Sequence, residues 1–457
     1  MFEHVSASTD TGRPILRMLL LIVAAAFIGS TTIPAEAVSS DGPRIVYSSL
    51  TKKDIVDTIL TAVADNYVLP DVAREMVDSV RSKYSRGDYA KIDDLAVLLN
   101  QISLDMQDVS RDEHLRFEIL EAGDTVAQGD DAPSESEIAQ WTSENFGFNR
   151  IEMMKGNVGY LDLRTFRDTV YAKKTLRASM DFLANCQAVI IDLRNNRGGR
   201  PEMLQMLAGY FLATPGHLYD IQHRGGDSTT EHWSFKCETD HPLHDVELVI
   251  LIGKRTFSAA ESFAYSLKRL GRATLVGEAT AGGAHLVRLI GYPTMELRLR
   301  MPVDRAVDPA TGYSWQSIGV QPDIAAAAAN ALALGHIAAL EAVKRRAGDM
   351  AAAGKLNWLI DGLRAELDSI SLTEDELRLF VGHYQQYGVE LDDGQLLVLV
   401  GGKPFCNLKS FSLKLFAVEE HPESRVRFVI DEKTHTPTAL EVLLDDGRVM
   451  RFERTGD

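Results

Sequence analysis

Apolar residues between positions 51 and 117 recur at helical spacing and predict three helices. The first begins at Thr51–Asp54, a segment that resembles a capping box with Asp in place of the usual Glu. A second opens at Pro70, which is favoured in a first helical turn, and a third runs from about Ile92 to Val109. We therefore predict an N-terminal helical domain over residues 38–120. A polar segment without periodicity follows, and residues 121–148 are predicted to be a linker.

From residue 149 to 345, short apolar runs alternate with helical patterns. Ala188–Leu193 and Leu248–Gly253 are almost continuously apolar, which is typical of strands buried on both faces. Further strands are predicted at Val158–Leu163, Ala273–Val276 and Met295–Pro302, and helices at Pro201–Leu212, Ser258–Leu270 and Ile324–Arg345. Such alternation predicts an α/β domain whose sheet is largely covered by helices.

The last part of the chain changes to a β pattern. Residues 346–385 are predicted to be a helical connector, and residues 386–457 a small C-terminal antiparallel β domain. Two dipeptides, Asp393-Gly394 and Asp446-Gly447, are strong hairpin-turn signals. β-rich runs flank them at Gln395–Val400, Leu413–Val418, Arg425–Ile430, Ala439–Leu444 and Val449–Arg454.

Residues 1–37 have the layout of a secretory signal peptide. Arg13 and Arg17 precede an apolar run, Met18–Ile28, and Ala35-Glu36-Ala37 offers a cleavage site between small residues. The run is shorter than the roughly 20 residues of a membrane span, although an uncleaved signal anchor is the alternative. We predict an exported protein, periplasmic or extracellular, that is not held in a membrane after cleavage.

Composition narrows the partners. A chain of 457 residues is too long to fold around a single hydrophobic core. Its formal net charge of −17 disfavours binding to nucleic acid and to anionic membranes, since both are negatively charged. The three cysteines, Cys186, Cys237 and Cys406, leave at least one thiol unpaired in a monomer, and Cys186–Cys237 is a possible bridge. No Cys/His cluster has zinc spacing, and no metal or cofactor is expected.

Three segments carry candidate chemistry. A buried strand ends at Gly253 and a helix begins at or just after Ser258, so a hydroxyl lies near free backbone N–H groups, as a nucleophile requires. The alternative is that Ser258 only caps the helix. A second strand runs into Gly198-Gly199, where paired glycines let backbone N–H groups face a ligand. The third segment contains His114. A single histidine is more often a surface residue or a hydrogen-bonded polar residue than a catalytic one, so His114 by itself indicates little.

Together these segments resemble the carboxyl-terminal processing, or tail-specific, serine peptidases. Within that family they are similar to the branch of the tricorn protease core and the interphotoreceptor retinoid-binding protein. The resemblance spans about Ile55 to Ile324 and is strongest at Gly156–Leu161, Asp192–Gly199, Ser258–Glu261 and Gly319–Asp323. It implies a crotonase/ClpP-like α/β peptidase core, to which the N-terminal helical domain and the C-terminal antiparallel β domain are attached.

The family uses two catalytic designs. In the Ser–Lys design the lysine lies 25 residues beyond the serine, a position that Gly283 occupies here, so this design is excluded. The tricorn-like design takes its base from a histidine in the helical domain, and His114 matches that place. The resemblance implies that His114 accepts the Ser258 proton. It also implies an oxyanion hole made by the backbone N–H groups of Ala259 and of Gly198 or Gly199.

One position departs from the branch. Where the branch has a glutamate that orients the catalytic groups, this chain has Gln316, which cannot stabilise an imidazolium by charge. Loss of such an acid costs about 10⁴ in rate in the best-studied triad. Asp112 and Glu261 are the alternative acids. His285 follows the pair Gly282-Gly283 and precedes a strand, and His285 and Gly283 are predicted to line the substrate groove.

The expected function is hydrolysis of peptide bonds in flexible or C-terminal segments of exported proteins, through an acyl-enzyme at Ser258. Its partner is then a peptide or an unfolded protein. The alternative is a catalytically weak or inactive peptide- or lipid-binding protein on the same scaffold. Another acyl transfer, such as ester hydrolysis, is the third reading, because fold resemblance alone does not separate these activities.

Overall fold

The computed structural model describes residues 51–119, 133–226, 228–237, 239, 241–292, 297–368 and 370–456. The predicted signal peptide lies outside the described residues, as does the first part of the predicted linker. No helix in the described part of the chain combines the length and apolar character that crossing a membrane requires.

Three helices form the N-terminal helical domain: α1 (Lys52–Asn66), α2 (Pro70–Arg86) and α3 (Leu95–Ser110). Thr51 and Asp54 make the expected capping box of α1. α3 ends at Arg111, whose φ of 54° turns the chain through a left-handed conformation. The apolar faces of the helices pack against a strand of the α/β region, through Leu297, Leu299 and Met301. This shared core fixes the segment that follows α3 against the rest of the molecule.

The next region contains β1 (Arg116–Ile119), α4 (Glu135–Ser143), β2 (Phe148–Met154), β3 (Val158–Leu163), α5 (Thr169–Leu183), β4 (Ala188–Asp192), α6 (Pro201–Tyr210), β5 (His217–His223), β6 (Thr229–Trp233), β7 (Glu247–Ile252), α7 (Ala259–Arg269), β8 (Thr274–Gly277), β9 (His285–Tyr292), β10 (Leu297–Val307), β11 (Ile324–Ala325) and α8 (Ala331–Arg346). Helices α9 (Met350–Leu367) and α10 (Glu374–Arg378) follow.

A six-stranded sheet lies at the centre, in the order β11-β8-β7-β4-β3-β2. Its strands are parallel except β2, which pairs antiparallel with β3. Helices α5, α6 and α7 cover one face, for example through Leu176, Leu204 and Phe263. Helices α8 and α9 cover the other through Leu340 and Ile360. The predicted α/β core, with a sheet covered by helices, is confirmed.

A second sheet has the order β1-β10-β5-β6, with β9 also paired to β10. Strand β1 comes directly after the helical domain and pairs antiparallel with β10, where Phe117 lies opposite Leu299. The helical domain is therefore joined to the core by backbone hydrogen bonds as well as by packing.

The structure differs from the predicted secondary structure in two segments. The linker contains helix α4, because Ser134 and Glu137 form a capping box, a signal that the sequence offered. Ile324 does not start the Ala-rich helix; it begins the short strand β11, opposite Val276. There the Asp323 N–H donates to the Leu275 carbonyl oxygen, the Leu275 N–H donates to the Asp323 carboxylate, and α8 begins only at Ala331.

The predicted C-terminal antiparallel domain is a closed eight-stranded barrel. Its strands are β12 (Gly382–Tyr384), β13 (Tyr387–Asp392), β14 (Gln395–Val400), β15 (Lys403–Ser410), β16 (Leu415–Val418), β17 (Ser424–Ile430), β18 (Pro437–Leu444) and β19 (Val449–Gly456). Asp393 and Gly394 have positive φ and form the expected hairpin turn between β13 and β14. Pairing of β12 with β19 closes the barrel.

All three cysteines are free thiols, so the possible Cys186–Cys237 bridge is absent. The Cys186 thiol instead lies 3.3 Å from the Met153 sulfur.

Candidate active site

Ser258 lies in the turn between β7 and α7, in a conformation that is rare for a residue with a side chain. Its φ is 55° and its ψ is −124°, whereas a helix cap has an extended backbone. The Glu261 N–H donates to the Ser258 carbonyl oxygen at 2.8 Å. Ser258 is partly exposed between buried neighbours. A strained, accessible hydroxyl is characteristic of a functional residue rather than of a cap.

The buried carboxylate of Glu261 maintains this turn. One oxygen accepts from the Ser258 N–H at 2.8 Å and from the Gly283 N–H at 2.7 Å. The other accepts from the Gly282 N–H at 2.7 Å and from the Thr280 hydroxyl. Burial raises the pKa of Glu261, and these hydrogen bonds oppose the shift. Glu261 therefore connects the Ser258 turn to residues 280–283 and makes no hydrogen bond to His114 in the described structure.

His114 is 3% exposed and lies between α3 and β1. Its ring packs against the ring of Phe257, with 4.3 Å between centroids, and Phe257 directly precedes Ser258. Nδ1 lies 3.2 Å from an Asp112 oxygen, whereas Nε2 is buried without a hydrogen-bond partner among the described residues. An Nδ1–H that donates to Asp112 leaves the Nε2 lone pair free, which is the tautomer a general base needs.

Asp112 is fully buried between two imidazoles. Besides His114, it accepts from Nδ1 of His285 at 2.6 Å and from the Tyr67 hydroxyl at 3.2 Å. Burial by itself would raise the pKa of Asp112, but the hydrogen bonds from His114 and His285 outweigh it and lower the pKa. Burial lowers the pKa of His114, a shift that Asp112 opposes. The pair is thus a carboxylate beside a neutral imidazole near neutral pH.

Two predicted substrate contacts lie elsewhere than expected. The His285 side chain is buried on Asp112 and does not line a groove. Gly283 is also buried, and a Cβ there would come within 2.2 Å of the Phe257 ring. Gly283 therefore makes room for the ring that packs on His114. The His285 prediction failed because the sequence did not reveal that the helical domain places Asp112 beside it, and the Gly283 prediction failed because the Phe257 ring occupies that space.

Gly198 abuts the Ser258 turn. A Cβ at Gly198 would lie 2.8 Å from the Phe257 carbonyl oxygen and 2.9 Å from the Ala259 nitrogen. Its φ of 91° also favours glycine. The carboxyl end of β4 therefore meets the start of α7 with no space for a side chain between them.

The predicted oxyanion donors differ in their availability. The Gly198 N–H donates to the Asn196 side chain at 2.8 Å. The Gly198 carbonyl accepts from Phe166 at 2.9 Å, and because C=O and N–H of one peptide point in opposite directions, the Gly199 N–H points away from Phe166. The Ala259 N–H, in the first turn of α7, has no acceptor within the helix. This geometry favours Gly199 over Gly198 as the partner of Ala259.

Gln316 does not stand where an orienting acid was expected. Its Oε1 accepts from the Ala284 N–H at 2.7 Å, and its Nε2 lies 3.4 Å from the Arg111 carbonyl oxygen. The acid beside His114 is Asp112, two residues earlier in the chain. The His114 N–H bonds to an Asp112 oxygen at 3.0 Å, a local turn for which the Asp-x-His spacing was an available signal. The hydrogen bond from the Tyr67 hydroxyl to Asp112 had no comparable signal in the sequence, because the two residues are 45 positions apart.

No group of three or more His, Cys, Asp or Glu side chains in the described ranges is arranged to bind a metal ion.

Two family models match the chain. Residues 157–326 match peptidase family S41, and residues 44–147 match the N-terminal domain of peptidase S41 in eukaryotic IRBP. Together these matches cover more than half of the chain and both sides of the site. The chain therefore belongs to peptidase family S41.

Similar individual proteins are processing proteases. A carboxyl-terminal-processing protease of Picosynechococcus is 32% identical over 149 residues, which are 32% of this chain and 34% of that protein. A namesake from Synechocystis is 33% identical over 128 residues, 28% of each chain. The chain thus spans about a third or less of the length of these curated relatives. A putative peptidase from Parabacteroides merdae is 18% identical with a TM-score of 0.45, over 65% of this chain and 97% of that one.

Proposed function

We propose that the protein is an exported serine endopeptidase that cuts flexible or C-terminal segments of peptides and unfolded proteins. The observation that carries the proposal is the buried Asp112–His114 pair, whose Nε2 has no partner among the described residues and whose ring packs on Phe257, the residue before the strained Ser258. The substrate class is supported by two similar proteins that are named carboxyl-terminal-processing proteases. Export is supported by the signal-peptide pattern of residues 1–37.

In the proposed mechanism, Ser258 Oγ attacks the scissile carbonyl while His114 Nε2 accepts its proton. The C–O bond forms as the carbonyl π electrons move to oxygen, and the N–H groups of Gly199 and Ala259 donate to the oxyanion. Asp112 stabilises the imidazolium by charge. His114 then gives the proton to the leaving amine, and water hydrolyses the acyl-enzyme by the same steps.

The test is cleavage of an unstructured peptide pool by the purified protein, read by mass spectrometry beside Ser258→Ala. We expect cuts that the Ser258→Ala variant does not make, and labelling of wild type by a fluorophosphonate at Ser258. Asp112→Asn should lower kcat by about 10³–10⁴, because the neutral amide no longer stabilises the imidazolium. The matched control is Asp108→Asn, the same change at an exposed position of α3, which should leave kcat unchanged.

Equal cutting by wild type and Ser258→Ala would refute the proposal. If neither cuts but both bind peptides, the protein is a binding module on a peptidase scaffold. Full activity of Asp112→Asn would reject Asp112 as the acid while leaving Ser258 as nucleophile.

A further inference from the structure

The segment that carries Asp112 and His114 is attached to the core at the Arg111 carbonyl. Arg111 closes α3 in a left-handed conformation, and its N–H bonds back to Gln107 at 2.7 Å. Its carbonyl oxygen lies 3.4 Å from Gln316 Nε2 and 3.1 Å from the Ser317 hydroxyl. Both donors belong to one turn of the core. This turn is therefore hydrogen-bonded to the helical domain at the residue that precedes Asp112.

The other end of the Gln316 side chain reaches the loop under the nucleophile. Its Oε1 accepts from the Ala284 N–H at 2.7 Å, which fixes the orientation of the amide, because a donor must face oxygen. Ala284 follows Gly283, whose N–H is bonded to Glu261, the residue that also binds the Ser258 N–H. Hydrogen bonds, together with the peptide link between Gly283 and Ala284, therefore connect Arg111 through Gln316 to the Ser258 turn.

We propose that Gln316 is a positioning residue whose amide sets the Asp112–His114 segment at its working distance from Ser258. The proposal rests on the proposed function of the site. It requires one side chain that accepts at one end and donates at the other, which glutamine does and a carboxylate does not.

A glutamate at position 316 fits the Ala284 end but not the Arg111 end. Its second oxygen would face the Arg111 carbonyl oxygen, and two acceptors repel one another. It would also add a negative charge beside the residue preceding Asp112, which already supplies the acid. Glutamine is therefore the residue that this arrangement needs, and restoring the branch's glutamate is expected to impair the enzyme.

The test compares Gln316→Glu and Gln316→Met with wild type in the full chain. We expect both to lower kcat, and the rate of Ser258 labelling by a fluorophosphonate, by about 10²-fold, the effect of an ångström-scale misplacement. KM should stay near wild type. Gln187→Glu, the same change at an exposed position before β4, is the matched control and should leave kcat unchanged. Amide hydrogen exchange should become faster in residues 111–116 of Gln316→Met.

Activity of Gln316→Glu at or above wild type would overturn the proposal. So would a lower melting temperature with unchanged kcat, because that would mean only a structural role. If wild type itself shows no Ser258-dependent turnover or labelling, the proposed function fails, and hydrogen exchange still decides this inference. Unchanged exchange of residues 111–116 in Gln316→Met would then reject it.

Discussion

At the scale of single residues, the hydrogen-bond partners separate a structural carboxylate from a functional one. Asp105 and Asp112 are both buried in the helical domain. Asp105 accepts from the Tyr89 hydroxyl at 2.5 Å and forms an ion pair with Lys83 at 2.7 Å. Both partners belong to the helical domain, and the carboxylate therefore has a purely structural set of contacts. Asp112 instead binds His114, whose second nitrogen has no partner among the described residues. An unused acceptor held beside a charge is expensive to bury and therefore indicates function.

The pH dependence of turnover is set by single residues, first of all by His114. The active form of His114 is neutral, and because burial lowers its pKa, that form persists to lower pH than for an exposed histidine. We expect kcat/KM to rise with pH along an acid limb whose midpoint lies below about 6.5, and to be level at neutral pH.

Steady-state rates with a non-ionising peptide, together with fluorophosphonate labelling over the same pH range, measure this limb. Labelling separates ionisation of the enzyme from that of the substrate. Burial is the largest effect on the pKa of His114, and the groups with a charge effect on it are Asp112, which raises it, and His285 and Arg300, which lower it. A midpoint above 7 in both measurements would contradict a lowered pKa.

At the scale of elements, the site exists because two neighbouring parallel strands end at the same edge of the sheet. Strands β4 and β7 pair in parallel, so the Gly198 turn and the Ser258 turn leave the sheet side by side. Such an edge is where α/β folds bind ligands. The helical domain approaches the same edge through β1 and β10 and adds His114.

Gly198→Ala is expected to abolish activity because the new methyl group would collide with backbone atoms of the Ser258 turn. Those atoms lie 2.8–2.9 Å from the position of a Cβ and cannot move as a flexible side chain does. Gly312→Ala is the matched control, since Gly312 also has positive φ, 69°, but open space around it. Both variants should lose about 1–2 kcal/mol from the left-handed backbone.

Thermal unfolding and Ser258 labelling distinguish the two variants. Only Gly198→Ala should lose labelling by more than the shared loss of stability explains. Equal labelling of both would mean that the two turns do not need their close contact.

At the scale of the whole molecule, the distribution of cores determines which domains affect the site. The helical domain and β10 share one core, which includes Leu299. The barrel has a core of its own, which includes Leu440. The barrel contacts α9 through Arg425, whose guanidinium lies 3.9 Å from the centre of the Trp358 ring and donates to the Trp358 carbonyl oxygen. Damage to the first core should reach His114, and damage to the second should not.

Two identical substitutions test this separation. Leu299→Ala and Leu440→Ala each remove a side chain that is at most 1% exposed, and each should cost about 2–5 kcal/mol of folding free energy. We expect Leu299→Ala to lower Ser258 labelling at temperatures where the protein remains folded, because the docking of the helical domain loosens. Leu440→Ala should keep wild-type labelling. Equal losses in both variants would mean that the barrel and the peptidase core unfold as one unit.

The sequence by itself determined much of the local structure and supplied the candidates for the reacting groups. Hydrophobic periodicity and turn residues were enough to predict the buried strands, the Ser258 turn and the hairpin at Asp393-Gly394, because such signals depend on neighbours in the chain. The family was indicated by the resemblance of four short segments to known peptidases. Only the tertiary structure decided which groups meet across long separations. Asp112 and His285 are 173 positions apart, and no local signal joins them. Closure of the barrel depends on pairing of β12 with β19, and the bridging role of Gln316 depends on its contacts with Arg111 and Ala284. Both were therefore decided by contacts between segments that are distant in the sequence.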